Sequence, residues 1–439
     1  MLYPYSKIVI TQVPTAEIPE RNKIFYIDFL VDFEINENIT NLTNTAKVTM
    51  PKKVDVVILK SAKEITNMTT SVIDSITPYL DKKLFRYGDK IQIYASYLDL
   101  QVPESFKANL LFDGYITKVS NETPLTIEAD DNMYILKKTP CPNFTWNTKL
   151  PYIEGKKQGP LESLINYLFE TSTYKGKTLK EIGLKFVGDN TNTDIGEWSL
   201  SSSNTIAQFL EELKSKCKFT IFFNGKDLYC GLIVFNSKLK QPDTNKELNF
   251  HFQKNIISSN LDFKLKEDTL VKVVAVGIFN KELTSATTGK KSNKEVRVEE
   301  IVGDFDGEIR TVHFLGEFTD AYYEAGVTDK MRSKKLREKA LALLPKFKMD
   351  KAEGSFVTFG EPLVYPGYVI TLQDDNLNKV ISGVTDNATY LVRGVKRSGG
   401  INGYRQEIEI DYRFDTLSSD EIQNYNDNKG IFKNEDINK

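Results

Sequence analysis

An α+β fold, mainly β, is what this 439-residue sequence predicts: two related β-barrel domains flanking a small α/β domain. Three observations predict it. Runs rich in aromatic and β-branched residues fill the first and last thirds, several of them alternating apolar with polar. Two helical stripes of apolar residues mark the middle third. The order of turns and strands in the first block recurs in the last.

In chain order, Phe25 to Ile35 reads as strand and ends at polar Asn36-Glu37-Asn38, and Ala46 to Met50 is a shorter strand. Tyr87-Gly88-Asp89 turns into the alternating strand Lys90 to Tyr94, followed by Leu111 to Val119 and Leu125 to Ala129. So many short strands must close or leave sheet edges exposed. The texture changes near Thr139-Pro140-Cys141-Pro142. After Pro160, Leu161, Leu164, Ile165, Leu168 and Phe169 follow the spacing of an amphipathic helix. A second helix starts from a Ser203/Asn204 cap, with Ile206, Phe209, Leu210, Leu213 and Cys217 as its stripe. It leads into an Asn224-Gly225 hairpin. Strands resume with Leu261 to Leu265 and Val271 to Val276, and the polar segment Thr284 to Lys294 is expected to be a protruding loop. A further helix carries Leu336, Ala340, Leu343, Leu344 and Phe347 before strands continue to Phe414. The expected domains are 1–138, 139–250 and 251–417, with a polar tail at 418–439 expected to fray.

The repeat is local. Gly88-Asp89-Lys90-Ile91-Gln92-Ile93 aligns with Gly367-Tyr368-Val369-Ile370-Thr371-Leu372, apolar on apolar. Tyr115 to Val119 resembles Tyr390 to Val395 with one residue of slack, and Thr126 to Asp130 matches Glu407 to Asp411. Two copies of one barrel in a chain would let three chains present six similar barrels around an axis.

The chemistry-bearing patterns fail one by one. With 58 basic and 60 acidic residues the formal charge is −2, so no global field favours nucleic acid. Three cysteines, Cys141, Cys217 and Cys230, lack zinc spacing and are expected as thiols. No secretory signal is expected from the first residues, and no apolar run is long enough to span a membrane. His251 and His313 are the two histidines, neither beside a nucleophile pattern, so no catalytic residue is expected. Gly176-Lys177-Thr178 has the end of a P-loop, but Thr171 stands where the first glycine belongs. Asp304-Phe305-Asp306-Gly307-Glu308 is a fragment of a calcium loop whose distant acidic ligand is replaced by Leu315. The expectation is therefore no enzyme, no metal and no cofactor. One basic concentration, Lys330 to Lys351, includes Lys334, Lys335, Arg337 and Lys339. It reads as a solvated face, or else as a docking surface for an acidic partner or a lining near the DNA path.

The segments Tyr87-Gly88-Asp89, Phe112 to Ile116, Glu128 to Leu136, Ser203 to Leu210 and Val357 to Gly367 resemble, in this order, baseplate hub proteins of contractile-tailed phages. These include the late-control D and Mu-type hubs. The chain is also similar to the N-terminal half of type VI secretion spike proteins. The resemblance implies two tube-type β-barrels per chain and a homotrimer forming a pseudo-hexameric ring. Its implied partners are the tail tube protein, a spike protein and other baseplate proteins, with DNA passing through the channel without sequence-specific binding. It places the protein in the virion tail, assembled in the host bacterial cytoplasm. No spike or hydrolase segment follows residue 414, so both are expected as separate chains. Candidate ring-interface residues are Ile91, Ile93 and Tyr94 on one copy and Val369, Ile370 and Leu372 on the other. Two further readings are a receptor- or glycan-binding tail-tip adhesin using Trp146 and Trp198 as stacking platforms, and a β-rich cell-wall hydrolase.

Overall fold

The computed structural model describes residues 2–15, 18–19, 21–52, 57–59, 85–99, 108–120, 122–147, 152–153, 156–157, 161–187, 197–217, 219–231, 248–264, 267–284, 291–315, 333–334, 336–338, 340–341, 344, 348, 351–374, 388–401 and 403–413. The first block holds β1 (Leu2–Thr11), β2 (Ile24–Ile27), β3 (Asp32–Asn38) and β4 (Thr45–Met50). It continues with β5 (Val57–Leu59), β6 (Lys90–Asp99), β7 (Asn109–Val119) and β8 (Leu125–Asp130). The middle block begins with α1 (Met133–Lys138), β9 (Phe144–Asn147), β10 (Tyr152–Ile153), β11 (Lys156–Lys157) and α2 (Leu161–Thr171). Next come β12 (Thr173–Tyr174), β13 (Lys177–Thr178), α3 (Leu179–Ile182), β14 (Lys185–Val187) and β15 (Glu197–Leu200). It closes with α4 (Ile206–Cys217), β16 (Thr220–Asn224) and β17 (Asp227–Gly231). The last block contains β18 (Asn249–His251), β19 (Ile256–Ser259), β20 (Asp262–Lys264), β21 (Val271–Thr284) and β22 (Lys291–Gly303). It ends with β23 (Glu308–Leu315), β24 (Lys351–Phe359), β25 (Val369–Gln373), β26 (Ala388–Gly400) and β27 (Arg405–Arg413).

Alternation in the strands produces the cores. In β6, Ile91, Ile93 and Ala95 are fully buried, and with Ile8, Phe33, Val48, Phe112, Ile116 and Ile127 they fill the first core. The second β core gathers Phe250, Phe356, Ile370, Leu372, Val392 and Ile408. The helical stripes read from sequence, Leu161 to Phe169 and Ile206 to Leu213, fill the middle core with Trp146 and Trp198. Helix α1 contributes Met133, Ile135 and Leu136 to that middle core, while its Tyr134 packs on Tyr87 and Tyr115 of the first block. Strand β18 pairs with β25, joining Asn249–His251 to Thr371–Gln373.

The last block also departs from the expected loop. Strands β21 and β22 form a long hairpin whose pairing runs from Lys272↔Gly303 to Thr284↔Lys291, and β23 adds parallel to β21. Lys291 to Lys294, expected in a loop, therefore lies in a strand, while residues 285–290 and 418–439 lie outside the described residues. This three-stranded sheet is separate from the fifteen-stranded one. Leu336 and Ala340 of the helical segment that follows are fully buried.

Backbone detail makes the internal repeat concrete. Gly88 and Gly367 both have φ of +86°, where a side chain is strained. Gly88 N–H donates to Ile116 O at 2.8 Å, and Ile116 N–H donates to Asp89 O at 2.9 Å. In the other copy Gly367 N–H donates to Val392 O, and Val392 N–H donates to Tyr368 O, both at 2.8 Å. Each following hairpin then slips by one residue at the same place. Ile116↔Ala129 gives way to Lys118↔Glu128, and Val392↔Ile410 gives way to Gly394↔Glu409. The last repeat block, Ile127 with Ile408, is thus in the register read from sequence. The middle block shifts by one: Tyr115 corresponds to Leu391, not Tyr390, because the glycine turn sets the pairing. The copies differ at their first strands, since β1 is antiparallel to β6 whereas β18 is parallel to β25. Replacing either Gly88 or Gly367 with alanine is expected to cost about 1–2 kcal/mol through the left-handed backbone. At Gly88 the new Cβ would also sit 3.0 Å from the Tyr134 hydroxyl. Urea midpoints of the two variants check this.

Candidate assembly surfaces

The two copies share one continuous sheet of fifteen strands. Strand β26 is long enough to do two jobs along one edge: its first residues pair with β25, and Gly394 to Gly400 pair with β3 of the first copy, from Asn38 to Asp32. This seam carries charge. Arg397 is fully buried, with its guanidinium against the Glu37 carboxylate and the Val364 carbonyl, and 4.6 Å from the centre of the Tyr365 ring. Burial pulls the Arg397 pKa down, but the Glu37 carboxylate together with Tyr365 and Tyr404 more than offsets it, so the cation is held. Lys396 and Glu34 pair at 2.9 Å, and Asn38 donates to Glu409 at 2.9 Å.

A second contact locks the angle between the copies. Tyr404 inserts into the core of the first copy, 1% exposed, with its ring 5.5 Å from Tyr97 and 6.3 Å from Phe33. Tyr97 donates its hydroxyl to Tyr404 O at 2.6 Å and accepts from Gly360 N–H at 2.9 Å. Ser96 and Asn109 both donate to Glu361, at 2.7 and 3.0 Å. Gly360 is required here, since a Cβ would lie 2.1 Å from the Tyr404 ring.

The middle block is anchored through Asp131 and its neighbours. Asp131 accepts from Met133 N–H at 2.9 Å and Asn44 N–H at 3.1 Å, while Asn44 and Asn132 donate to Phe223 O and Gly225 O. Burial pushes the Asp131 pKa up to about 7, the two backbone N–H groups pulling it only part of the way back. The folded value lies above the unfolded one, so the folded state binds the proton more tightly. Its stabilisation is complete below about pH 4 and is lost as the pH rises through about 7. Unfolding free energy should fall by a few kcal/mol across that window, since each tenfold difference in proton affinity is worth roughly 1.4 kcal/mol. Asp131→Asn should remove this slope, read from urea unfolding at about pH 5 and pH 8.

The structure sorts the residues proposed from sequence. Ile91, Ile93, Ile370 and Leu372 are at most 1% exposed and fill the cores of their own copies, so these four side chains have no surface to offer another chain. Strand alternation turns Tyr94 and Val369 to the other faces, where both are half-buried. Tyr94 packs on Val9 and Tyr26, with the Lys7 ammonium 5.3 Å from its ring. In the basic segment Lys334 and Arg337 are exposed, whereas Lys335 and Lys339 lie outside the described residues. Arg337 reaches Ile301 O at 3.4 Å and Glu300 at 3.6 Å, so that cation is spent within the chain. Trp146 and Trp198 are paired across β9 and β15 and buried at 0% and 8% exposure. They cannot act as stacking platforms, which corrects that expectation.

The patterns set aside as chemistry have structural uses. Gly176, at φ +77°, turns between β12 and β13, and Thr178 caps α3 in a capping box with Glu181. Asp304 accepts from Val271 N–H at 3.1 Å and Lys348 at 3.3 Å, and these bonds hold its pKa low. Among the described residues no group of three or more His, Cys, Asp or Glu could hold a metal ion, and no helix is long and apolar enough to cross a membrane.

Neither a family model nor a curated protein matches this chain. Solved structures do match in fold. The tail protein from Neisseria meningitidis MC58 is 9% identical, with 93% of this chain and 96% of that one covered at a TM-score of 0.50. The 43 kDa tail protein of prophage MuSo2 from Shewanella oneidensis is 11% identical over 92% and 97% of the chains, with a TM-score of 0.45. Prophage tail protein gp18 from Listeria monocytogenes EGD-e is 9% identical over 92% and 94%, with a TM-score of 0.43. The fold is therefore mainly β, of the type seen in the Neisseria tail protein, across nearly the whole length of both chains.

Proposed function

We propose that this protein is a non-enzymatic structural subunit of a phage-type tail baseplate hub. Three copies form a ring of six similar barrels that adapts a hexameric tail tube on one face to a trimeric spike on the other. DNA passes through its channel without sequence-specific binding. The observation that carries this reading is the pair of register-matched β units fused edge to edge within one chain. A fixed angle between like units is what a ring needs, and heterologous contacts of this kind close when the rotation allows. The Neisseria fold match supports a tail role. On this reading the ring contacts lie on strand edges and on the faces of Tyr94 and Val369. Other baseplate proteins dock on the outside, and the protein resides in the virion tail after assembly in the host bacterial cytoplasm. Light scattering with native mass spectrometry tests it: a trimer is expected, alone or with the tail tube protein of the same tail. A monomer under every such condition sinks the reading.

A further inference from the structure

The seam inside the chain leaves matching unused edges at its two ends. Pairing registers carry each first-copy residue onto its second-copy counterpart. Ile35 opposes Ala46, and Ala46 opposes Ala129. In the second copy Gly354 opposes Ile410, and the β19 and β20 pairings place Leu261 across from Gly354. Leu261, Asp262, Phe263 and Lys264 thus stand where Ile35, Asn36, Glu37 and Asn38 stand. Those first-copy residues are the ones that β26 covers. Among the described residues, no strand pairs with the outer edge of β19 and β20. Likewise Lys118 and Val119 of β7 correspond to Gly394 and Val395 of β26, and beyond Ile116 no described strand covers that edge of β7.

Hydrogen-bond parity agrees. Ile39 N–H donates to Arg393 O across the internal seam, so the bonded positions along β3 alternate to Glu37, opposite Val395. Their counterparts are Phe263 and Val119. Ser120 N–H donates to Thr126 O, which turns the Val119 N–H away from β8 toward the open edge. Asn260 N–H donates to Ser355 O, which by alternation turns the Phe263 N–H away from β24.

We infer that the β19–β20 edge of one chain pairs antiparallel with the β7 edge of a second copy of this chain, Phe263 opposite Val119, repeating the internal seam between subunits. The occupant is a second copy because the same chain carries both edges and already joins their counterparts to each other. The ion pairs are not repeated: Phe263 replaces Glu37 and Ser120 replaces Lys396. The intersubunit seam is therefore weaker and reversible, whereas the internal one is clamped. This inference rests on the ring reading above and names its contact.

The test is disulfide trapping between Asp262→Cys and Ser120→Cys, which face each other as a closely spaced non-hydrogen-bonded pair. Both variants are made in a Cys217→Ser background, Cys141 and Cys230 being buried. Mixing the two single variants under mild oxidation is expected to give a covalent dimer. The double variant should give a ladder that stops at a closed ring. Asp306→Cys with Ser120→Cys is the off-seam control. If the chain is oligomeric by light scattering yet traps no better than the control, the strand pairing is overturned and the ring stands on other contacts. A monomer that does not trap overturns both.

Discussion

Arg397→Ala is expected to lower the unfolding free energy by about 3–5 kcal/mol. The guanidinium is fully buried, so its removal leaves the Glu37 carboxylate and the Val364 carbonyl without their donor inside protein. An uncompensated buried charge costs far more than the pair was worth. Arg397→Met should be nearly as harmful despite keeping apolar volume. Combining it with Glu37→Leu should recover much of the loss, because no charge is then stranded. Denaturant unfolding of the two singles and the double checks the cycle. Equal, additive losses would mean that the ion pair does not hold the seam. Loss of the clamp should also free the two barrels from each other, so limited proteolysis of Arg397→Ala should open the β26–β27 hairpin first.

Tyr404 offers the second large effect, with a built-in contrast. Tyr404→Ala is expected to cost about 3–5 kcal/mol, since it empties a ring-sized volume between the copies. Tyr404→Phe should be neutral or stabilising, because the buried hydroxyl finds no hydrogen-bond partner among the described residues. Thermal or urea unfolding of both variants separates packing from polarity. A large loss in the phenylalanine variant would show that the hydroxyl works.

Much of this was legible residue by residue. The glycine at Gly88 and Gly367, the alternation of Ile91 and Ile93, and the stripe from Leu161 to Phe169 each report a local requirement of the backbone. The adhesive reading of Trp146 and Trp198 failed because a large aromatic looks the same in sequence whether it lines a surface or fills a core. The interface candidates Ile91, Ile93 and Ile370 turn their side chains into the cores, because a strand's apolar face is taken first by its own core. Seam residues were missed altogether. Arg397, Glu37 and Tyr404 carry no pattern in sequence, and Arg397 and Glu37 lie 360 positions apart. One hint was available: the β26–β27 segment is five residues longer between matched pairs than its counterpart, counting 396–407 against 120–126.

By itself the sequence determined the mainly β class, the helical middle block and the existence of two related copies, because side-chain period and turn chemistry are local properties. Only the tertiary structure decided how the copies join, which faces remain open and which charges are buried. Strand-edge pairing and ion-pair burial depend on residues hundreds of positions apart meeting in space, and no local pattern encodes that meeting.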